Sequence, residues 1–285
     1  MAIEEVHPMS LRPKPTSWLE SLPTEVLQSI CAHFCRHCRG DVLITLKNHP
    51  WTYETTSDGN IIVANAEPAQ DLCALSRVSR RLRDVAQPVL YHEFPNFEHR
   101  ERRLEPFLIA VASRPDLARA VKVMAWNSNL ANHLDIVRAR KGYHQGLKAL
   151  GIDANQLWRE RRDDRLQLKH HKALHTFIFG DRYNDPRSYN SHLWRAACAE
   201  ILILLLALLP NLTTFIADGD CDMFFSPSAL RVYGVNSIKL RQLLATHLPH
   251  VILDVAPDLE HLVIGHFNPR NIYSPISSKI LGVIG

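Results

Sequence analysis

The sequence lacks any apolar run long enough to cross a lipid bilayer. The longest run, ILILLLALL from Ile201 to Leu209, has nine residues and lies between Glu200 and Pro210, whereas a membrane-spanning helix needs about 20. The first 17 residues contain three prolines and no apolar stretch typical of a secretory signal. We therefore expect a disordered leader at 1–17, a buried helix around Ile201–Leu209 and no membrane partner.

Cysteines are few and unevenly spaced, which is not typical of a secreted protein held together by disulfides. There are six in 285 residues, and they do not form the regular framework that such proteins show. This usage indicates a reducing, intracellular environment, either cytoplasmic or nuclear.

Sequence signatures of common enzymes are also missing. The chain has no phosphate-binding glycine loop, no H-E-x-x-H and no G-x-S-x-G. The acidic stretch ADGDCDMFF resembles a calcium loop but lacks the glycine and glutamate that such a loop requires. We expect a protein that is not an enzyme and has no cofactor.

The charge balance does not favour nucleic-acid binding. The net charge is only +4, and the pI is about 8.8. The strongest basic stretch is interrupted by acidic residues and has no aromatic stacking pattern. Its basic residues are Arg159, Arg161, Arg162, Arg165, Lys169 and Lys172. A nucleic-acid-binding protein remains an alternative function, but we expect no nucleic-acid partner.

Two helices are predicted near the N-terminus. In residues 21–35, apolar side chains recur at helical spacing, and Pro23 suits the first helical turn because its missing N–H has no helical partner there. This apolar stripe comprises Leu22, Val26, Leu27, Ile30, Cys31 and Phe34. A second helix is predicted to begin at an Asp71 N-cap and to end at Pro88. Between the helices, residues 36–70 predict either a hairpin or an irregular insertion.

A weak repeat follows in the rest of the chain. Four segments share a leucine, two or three further residues and an apolar stretch suited to a short strand: 113–123, 170–180, 208–218 and 255–265. Apolar helical stretches precede at least two of them. Such a pattern is typical of an irregular leucine-rich-repeat-like solenoid, and a plain α/β domain is the alternative. Residues of about 127–169 are polar and predict a partly helical, solvated insertion.

The two N-terminal blocks resemble an F-box. The first block carries the Leu-Pro, acidic and aliphatic pattern of that family in LPTEVLQSI, and the second, ALSRVSRRLRDVAQPVLY, resembles fungal members with an insertion between the halves. The second block has Ser79 where the family usually has cysteine, and Leu82 where an aromatic residue is common. The implied fold is mainly α with short strands: a three-helix F-box module at 18–98, followed by a leucine-rich-repeat-like α/β region at 99–285.

The resemblance also implies a function. F-box proteins bind the Skp-type adaptor of a cullin–RING (SCF-type) ubiquitin ligase, and their remaining chain binds a protein substrate. Apolar side chains that a short module cannot bury would form the adaptor interface. The expected adaptor-binding residues are Leu22, Pro23, Glu25, Val26, Leu27, Ile30, Leu75, Val78, Arg80 and Leu82. An F-box scaffold that acts outside a ubiquitin ligase is the alternative.

The segment CAHFCRHC (31–38) raises the question of a zinc site. Cys35 and Cys38 form a C-x2-C pair, and His49 or Cys73 plus one further residue would complete four ligands. There is no second C-x2-C in the sequence. The alternative interpretation has Cys31 in the core of the first helix and the other residues at its end. We favour this second interpretation and predict that no metal is bound.

Overall fold

The protein is mainly α-helical with short strands, as the sequence predicts. The computed structural model describes residues 18–40, 53–55, 61–63, 67–94, 104–127, 134–162, 168–180, 191–218, 227–245 and 250–264. The predicted leader at 1–17 lies outside these residues.

Three helices begin the described chain: α1 (Trp18–Ser21), α2 (Thr24–His33) and α3 (Arg36–Arg39). Pro23 directly precedes α2, and its carbonyl oxygen accepts the backbone N–H groups of Val26 and Leu27, each at 3.1 Å. Helix α3 ends at Gly40, which has a φ of 75°. Only glycine adopts this left-handed conformation readily, so the chain can turn sharply there.

The region between the two predicted N-terminal helices contains a hairpin. Strands β1 (Tyr53–Thr55) and β2 (Ile61–Val63) pair in antiparallel fashion. An antiparallel strand pair, as in the hairpin alternative, is therefore present at 53–55 and 61–63, whereas residues 41–52, 56–60 and 64–66 of this region lie outside the described residues.

The second predicted helix is two helices, α4 (Glu67–Val78) and α5 (Arg80–Leu90). Ser79 separates them in an extended conformation, and its hydroxyl oxygen accepts the backbone N–H of Leu82 at 3.3 Å. The predicted boundaries are wrong, because Asp71 lies inside α4 and Pro88 lies inside α5. Pro88 lies in the last turn of α5, and the next residue, Val89, packs into the core.

Helices α1–α5 form what we call the helical module, which has a small core of its own. The buried residues of this core come from α2, α4 and α5 and from the residue before α3. They are Leu27, Cys31, Cys35, Leu72, Leu82, Val85, Ala86 and Val89. The prediction that Cys31 is a core residue on the Leu27 face is confirmed, since only 3% of its surface is exposed.

The rest of the described chain, from β3 to β7, is built on a five-stranded parallel sheet, and we call it the α/β region. Its strands are β3 (Glu93–Phe94), β4 (Val123–Asn127), β5 (Thr214–Asp218), β6 (Gln242–Ala245) and β7 (His261–Ile264). Each strand pairs with the next one in the sequence, in the order β3-β4-β5-β6-β7. Successive strands are therefore joined by helical crossovers, as parallel pairing requires.

Eight helices lie in these crossovers among the described residues. Helices α6 (Leu104–Ser113) and α7 (Pro115–Ala120) join β3 to β4. Helices α8 (Ile136–Leu150), α9 (Ala154–Arg162), α10 (Leu168–Phe179) and α11 (Ser191–Leu208) join β4 to β5. Helix α12 (Pro227–Val232) joins β5 to β6, and α13 (His250–Leu253) joins β6 to β7.

Three of the four predicted strands are present, as β4, β5 and β7. The strand predicted within 170–180 is wrong, because that segment forms α10. Its buried residues Leu174, Phe177 and Ile178 recur at intervals of three and four, which places them on one helix face. Strands β3 and β6 were not predicted, because neither follows a segment of the repeat pattern.

The main core lies between the sheet and the helices. One face of the sheet contributes Met124, Trp126, Phe215 and Leu243 to it. The run Ile201–Leu209, which the sequence places in a buried helix, belongs to this core through α11. Among the described residues, we find no helix with the length and apolarity that a membrane span requires.

The segment predicted as a solvated insertion is part of this core. Helices α8 and α9 bury apolar residues at helical spacing beneath their polar outer faces. Tyr143 and Leu157 are fully buried. Gly146 allows close packing on α11, because a Cβ atom there would lie 2.6 Å from Leu204 Cδ2. The polar stretch 127–169 therefore contains amphipathic helices, with apolar residues on one face of each.

Candidate functional site

The first block of predicted adaptor-binding residues divides into buried and exposed side chains. Leu27 lies in the core of the helical module, with 2% of its surface exposed. Pro23, Glu25 and Val26 are exposed on the outside of the first turn of α2 or just before it. Leu22 and Ile30 are half-buried. The exposed members are thus available to a partner, whereas Leu27 stabilises the module from within.

The second block divides in the same way. Leu82 is buried in the core and Leu75 is half-buried against it. Val78 and Arg80 are exposed on either side of the break between α4 and α5. Val78 is the last residue of α4, and 64% of its surface is exposed.

Arg81 connects the two sequence blocks by hydrogen bonds. It was not among the predicted adaptor-binding residues. Its guanidinium group donates to the backbone carbonyl oxygens of Glu20 and Leu22, the latter at 2.6 Å. These bonds hold the start of α5 against the chain that leads to Pro23. Nothing in the arginine-rich sequence SRRLRD distinguishes Arg81 from its neighbours, because only the fold shows which carbonyl oxygens lie within reach.

Exposed apolar side chains are concentrated on the helical module. In the described part of the chain, four large apolar residues are exposed: Trp18, Val26, Val78 and Val137. Three of them belong to the module, and only Val137 belongs to the α/β region. We call Pro23, Val26 and Val78 the apolar surface of the module. Exposed apolar groups at a junction of helices are typical of surfaces that bind partners.

A Cys2His2 cluster lies where the helical module meets the α/β region. Cys35 is the residue before α3, His37 and Cys38 lie on α3, and His92 precedes β3. The sulfur atoms and one ring nitrogen of each histidine all lie within 4.8 Å of one another. Cys35 is buried, His37 and His92 are half-buried, and Cys38 is exposed.

Three distances define this cluster. His92 Nδ1 lies 3.2 Å from Cys38 Sγ and 3.6 Å from Cys35 Sγ. His37 Nδ1 lies 3.9 Å from Cys38 Sγ. The four side chains are therefore close enough to coordinate one metal ion together.

Glu93 supports the cluster from outside. Its carboxylate accepts the backbone N–H of His37, and it forms an ion pair with Arg36 across 3.6 Å. It also lies 3.8 Å from Cys35 Sγ. Because Glu93 belongs to β3, these contacts hold α3 against the first strand of the sheet.

The surroundings keep Cys35, His37 and His92 uncharged at neutral pH. Burial, with a further contribution from His37 and Lys122, lowers the pKa of His92 to about 4. Burial also lowers the pKa of His37. Burial raises the pKa of the Cys35 thiol to about 12. At pH 7 these three groups are therefore a neutral thiol and two neutral imidazoles.

The zinc hypothesis drawn from the sequence named Cys35 and Cys38 and did not name His37 or His92. Of the other ligands considered there, Cys73 is not part of the cluster and His49 lies outside the described residues. His92 is 54 residues from Cys38 along the chain. Nothing in the local sequence VLYHEF marks it as a ligand, because its proximity to α3 depends on how the sheet packs.

A buried polar network lies elsewhere, in the core of the α/β region. Arg161 and Glu200 form an ion pair with 2% of each side chain exposed. Glu200 also accepts the hydroxyl of Tyr233 at 2.6 Å, and Tyr233 is hydrogen-bonded to Tyr143. Burial and the Glu200 charge raise the pKa of both tyrosines well above the usual value. The network joins α8, α9 and α11 to the residue that follows α12.

This network bears on the nucleic-acid alternative. Arg161 is one of the basic residues that this alternative requires, but its guanidinium group is buried against Glu200 and cannot contact a phosphate. Arg159, on the same helix, is exposed. Arg165 lies outside the described residues. The burial of Arg161 removes a charge from the proposed basic surface, and the alternative loses support accordingly.

Comparisons with known proteins gave no match: no family model, no curated protein and no solved structure is similar to this chain.

Proposed function

We propose that the protein is a substrate-recognition adaptor of an SCF-type ubiquitin ligase and binds a Skp-type adaptor subunit through its helical module. The proposal depends mainly on one observation: the residues of the F-box-like motif are divided between the core of the module and its surface. Leu27 and Leu82 make the core of the module, whereas Pro23, Val26 and Val78 are left on its surface. A module that binds a partner needs both sets, because one stabilises the fold and the other is buried on binding.

The three longer helices of the module support this proposal. Helices α2, α4 and α5 pack on one another around a core that has only eight buried residues among the described ones. The Arg81 bonds hold the break at Ser79 beside the start of α2. The exposed residues of both sequence blocks thereby lie on helices that Arg81 connects. Interfaces are typically anchored by a few central side chains.

The α/β region supports the second part of the proposal, the binding of a protein substrate. Its strands pair in sequence order with helices between them, which is the arrangement of solenoid repeats and is consistent with a leucine-rich-repeat-like region. Solenoids bind other proteins along the surfaces that their repeated units form. We propose that this region, at 99–285, carries the substrate-binding surface.

Co-purification with the Skp-type adaptor tests the proposal directly. The full chain and the adaptor are co-expressed and analysed by size-exclusion chromatography, with Val78→Glu as the test variant. Val78 is exposed, so a glutamate there places a charge in the interface without disturbing the core. We expect the wild type to co-elute with the adaptor and Val78→Glu to bind at least about tenfold more weakly, a loss typical of an interface anchor.

The matched control is Val137→Glu, which changes an equally exposed valine (59%) on α8 in the α/β region. This variant should co-elute like the wild type. If folded wild-type protein does not co-elute, or if Val78→Glu binds as well as Val137→Glu, the adaptor-binding surface is not where we propose it. Addition of the cullin subunit to a stable complex then distinguishes a ligase component from a scaffold, because only the former assembles further.

A further inference from the structure

We propose that Cys35, His37, Cys38 and His92 bind one zinc ion, which joins the helical module to the start of the parallel sheet. Cys35 and Cys38 would each release the thiol proton to solvent on binding, and two thiolates and two imidazoles form a common donor set for a structural zinc site. Cys35 and Cys38 also have the C-x2-C spacing that such sites use. This inference does not depend on the proposed ligase function.

Three of the four sulfur–nitrogen distances in the cluster are close to those of tetrahedral coordination. Zinc lies about 2.3 Å from sulfur and about 2.0 Å from nitrogen, so tetrahedral geometry separates a sulfur and a nitrogen ligand by about 3.5 Å. The three distances are 3.2, 3.6 and 3.9 Å. Helix α3 and the residue before it bring Cys35, His37 and Cys38 together, whereas His92 reaches them from the chain before β3.

Both cysteines converge on one histidine nitrogen. Cys35 Sγ and Cys38 Sγ approach the same ring nitrogen, His92 Nδ1, and Cys35 Sγ also lies within reach of the Glu93 carboxylate. A cation bound between them would use the lone pairs of both sulfurs and of the nitrogen together.

The charged groups that face the cluster are Arg36, Glu93 and Lys122. Glu93 accepts the backbone N–H of His37 and pairs with Arg36, which orients the segment that carries three of the ligands.

A metal ion can reach the site from solvent. Cys38 is exposed, and His37 lines a polar groove of about 700 Å³ beside the first residues of β5 and β6. Other residues of this groove include Thr214, Arg241 and Gln242. An open path of this kind allows an ion to enter after the chain has folded.

Zinc at this position would tie together parts of the chain that are far apart in sequence. It would close the 54-residue loop between Cys38 and His92, which contains the hairpin and helices α4 and α5. The ion would thereby fix the orientation of the helical module relative to the sheet. If the proposed function holds, this sets the position of a bound substrate relative to the ligase.

Metal analysis of the full chain tests the inference. The protein is expressed with zinc in the medium, freed of any polyhistidine tag and dialysed without chelator before its zinc content is measured by mass spectrometry. We expect about one zinc per chain in the wild type and less than about a tenth of that in Cys38→Ser and His92→Asn. Replacement of zinc by cobalt should give the intense visible absorption of a tetrahedral thiolate site.

Two matched variants control for loss of zinc that does not result from removal of a ligand. Cys73→Ser removes a partly exposed cysteine from α4, and His33→Asn removes an exposed histidine from α2. Both should retain the zinc content of the wild type. Circular dichroism of each variant establishes that the chain is folded, and Cys38→Ser is the decisive variant because Cys38 is exposed.

Three results would overturn the inference. The first is a folded wild-type protein with less than about a tenth of a zinc ion per chain after zinc loading. The second is Cys38→Ser protein that keeps the wild-type zinc content and cobalt spectrum. The third is an intact mass lower by two hydrogens, with Cys35 and Cys38 recovered as a disulfide, which would identify the cluster as a redox pair.

Discussion

The helical module and the α/β region differ most in how much apolar surface each buries. Among the described residues, the core of the module contains eight buried residues, whereas the main core of the α/β region contains 44. Most of the exposed large apolar side chains nevertheless belong to the module. Small domains have too little core to be stable alone and often depend on a metal or a partner.

The two regions also differ in where they place their polar groups. The α/β region buries the Arg161–Glu200 ion pair inside its core, where Glu200 also accepts the Tyr233 hydroxyl. In the module, Arg81 makes its hydrogen bonds at the surface. A large core can accommodate a paired charge, whereas a small one holds its helices together by contacts at its edge. The following predictions test this contrast.

The largest effect is expected from Arg161→Met, which leaves the Glu200 carboxylate buried without its cation. The free energy of unfolding should fall by about 3–5 kcal/mol. Urea unfolding followed by tryptophan fluorescence measures it, because Trp126 lies in the same core. The control Arg159→Met, on the same helix but exposed, should change stability by less than about 0.5 kcal/mol.

A second variant tests whether the loss of stability comes from the unpaired Glu200 charge. Glu200→Gln in the Arg161→Met background removes the unpaired charge and keeps an acceptor for Tyr233, so it should restore part of the stability. Equal stability of Arg161→Met and Arg159→Met would mean that the ion pair is not buried as described.

Substitution of one core leucine by alanine in each region tests whether the two cores unfold independently. Leu27→Ala and Leu204→Ala should each cost about 2–5 kcal/mol, because both side chains are at most 2% exposed. Hydrogen exchange measured by mass spectrometry should show faster exchange of α2, α4 and α5 in the first variant. In the second, the faster exchange should appear in α8 and α11. Identical exchange patterns would show one cooperative unit instead of two.

Removal of zinc should affect the helical module more than the α/β region. Closure of the 54-residue loop between Cys38 and His92 is worth up to about 4 kcal/mol by the chain-entropy relation. A chelator should therefore speed hydrogen exchange in α4 and α5 and leave α11 unchanged. Cys38→Ser is the control, since chelator should have no effect on it. A response confined to α11 would contradict the proposed position of the ion.

The smallest effects are expected from the helix caps. The Ser79 hydroxyl accepts one backbone N–H at the start of α5, and the Asp135 carboxylate accepts two at the start of α8. Ser79→Ala and Asp135→Ala should each cost about 1 kcal/mol, measured by urea unfolding. Ser79→Asp should retain most of the stability because aspartate also caps helices. A loss of less than about 0.3 kcal/mol in Ser79→Ala would show that the cap contributes little.

Local patterns predicted several elements well. The periodicity of the first block predicted α2, the nine-residue apolar run predicted the buried part of α11, and the repeat pattern predicted β4, β5 and β7. Each of these depends on residues within about ten positions of one another, where side-chain spacing and backbone geometry are directly related.

The errors arose where distant residues decide the structure. Segment 170–180 satisfies a strand pattern and a helix pattern equally, and packing of Leu174, Phe177 and Ile178 against other helices selects the helix. Beside the break at Ser79, Arg81 bonds to the backbone of Glu20 and Leu22, which lie far earlier in the chain. Arg161 appeared to be a surface charge because its partner, Glu200, lies 39 residues away.

The sequence by itself determined that the protein is mainly helical with short strands and which residues could share a helix face. Only the tertiary structure decided that Leu27 is buried while Val26 and Val78 are exposed, and that His92 joins Cys35, His37 and Cys38. The physical reason is that periodicity shows which side chains point in one direction. What those side chains meet depends on the packing of segments that are distant in the chain.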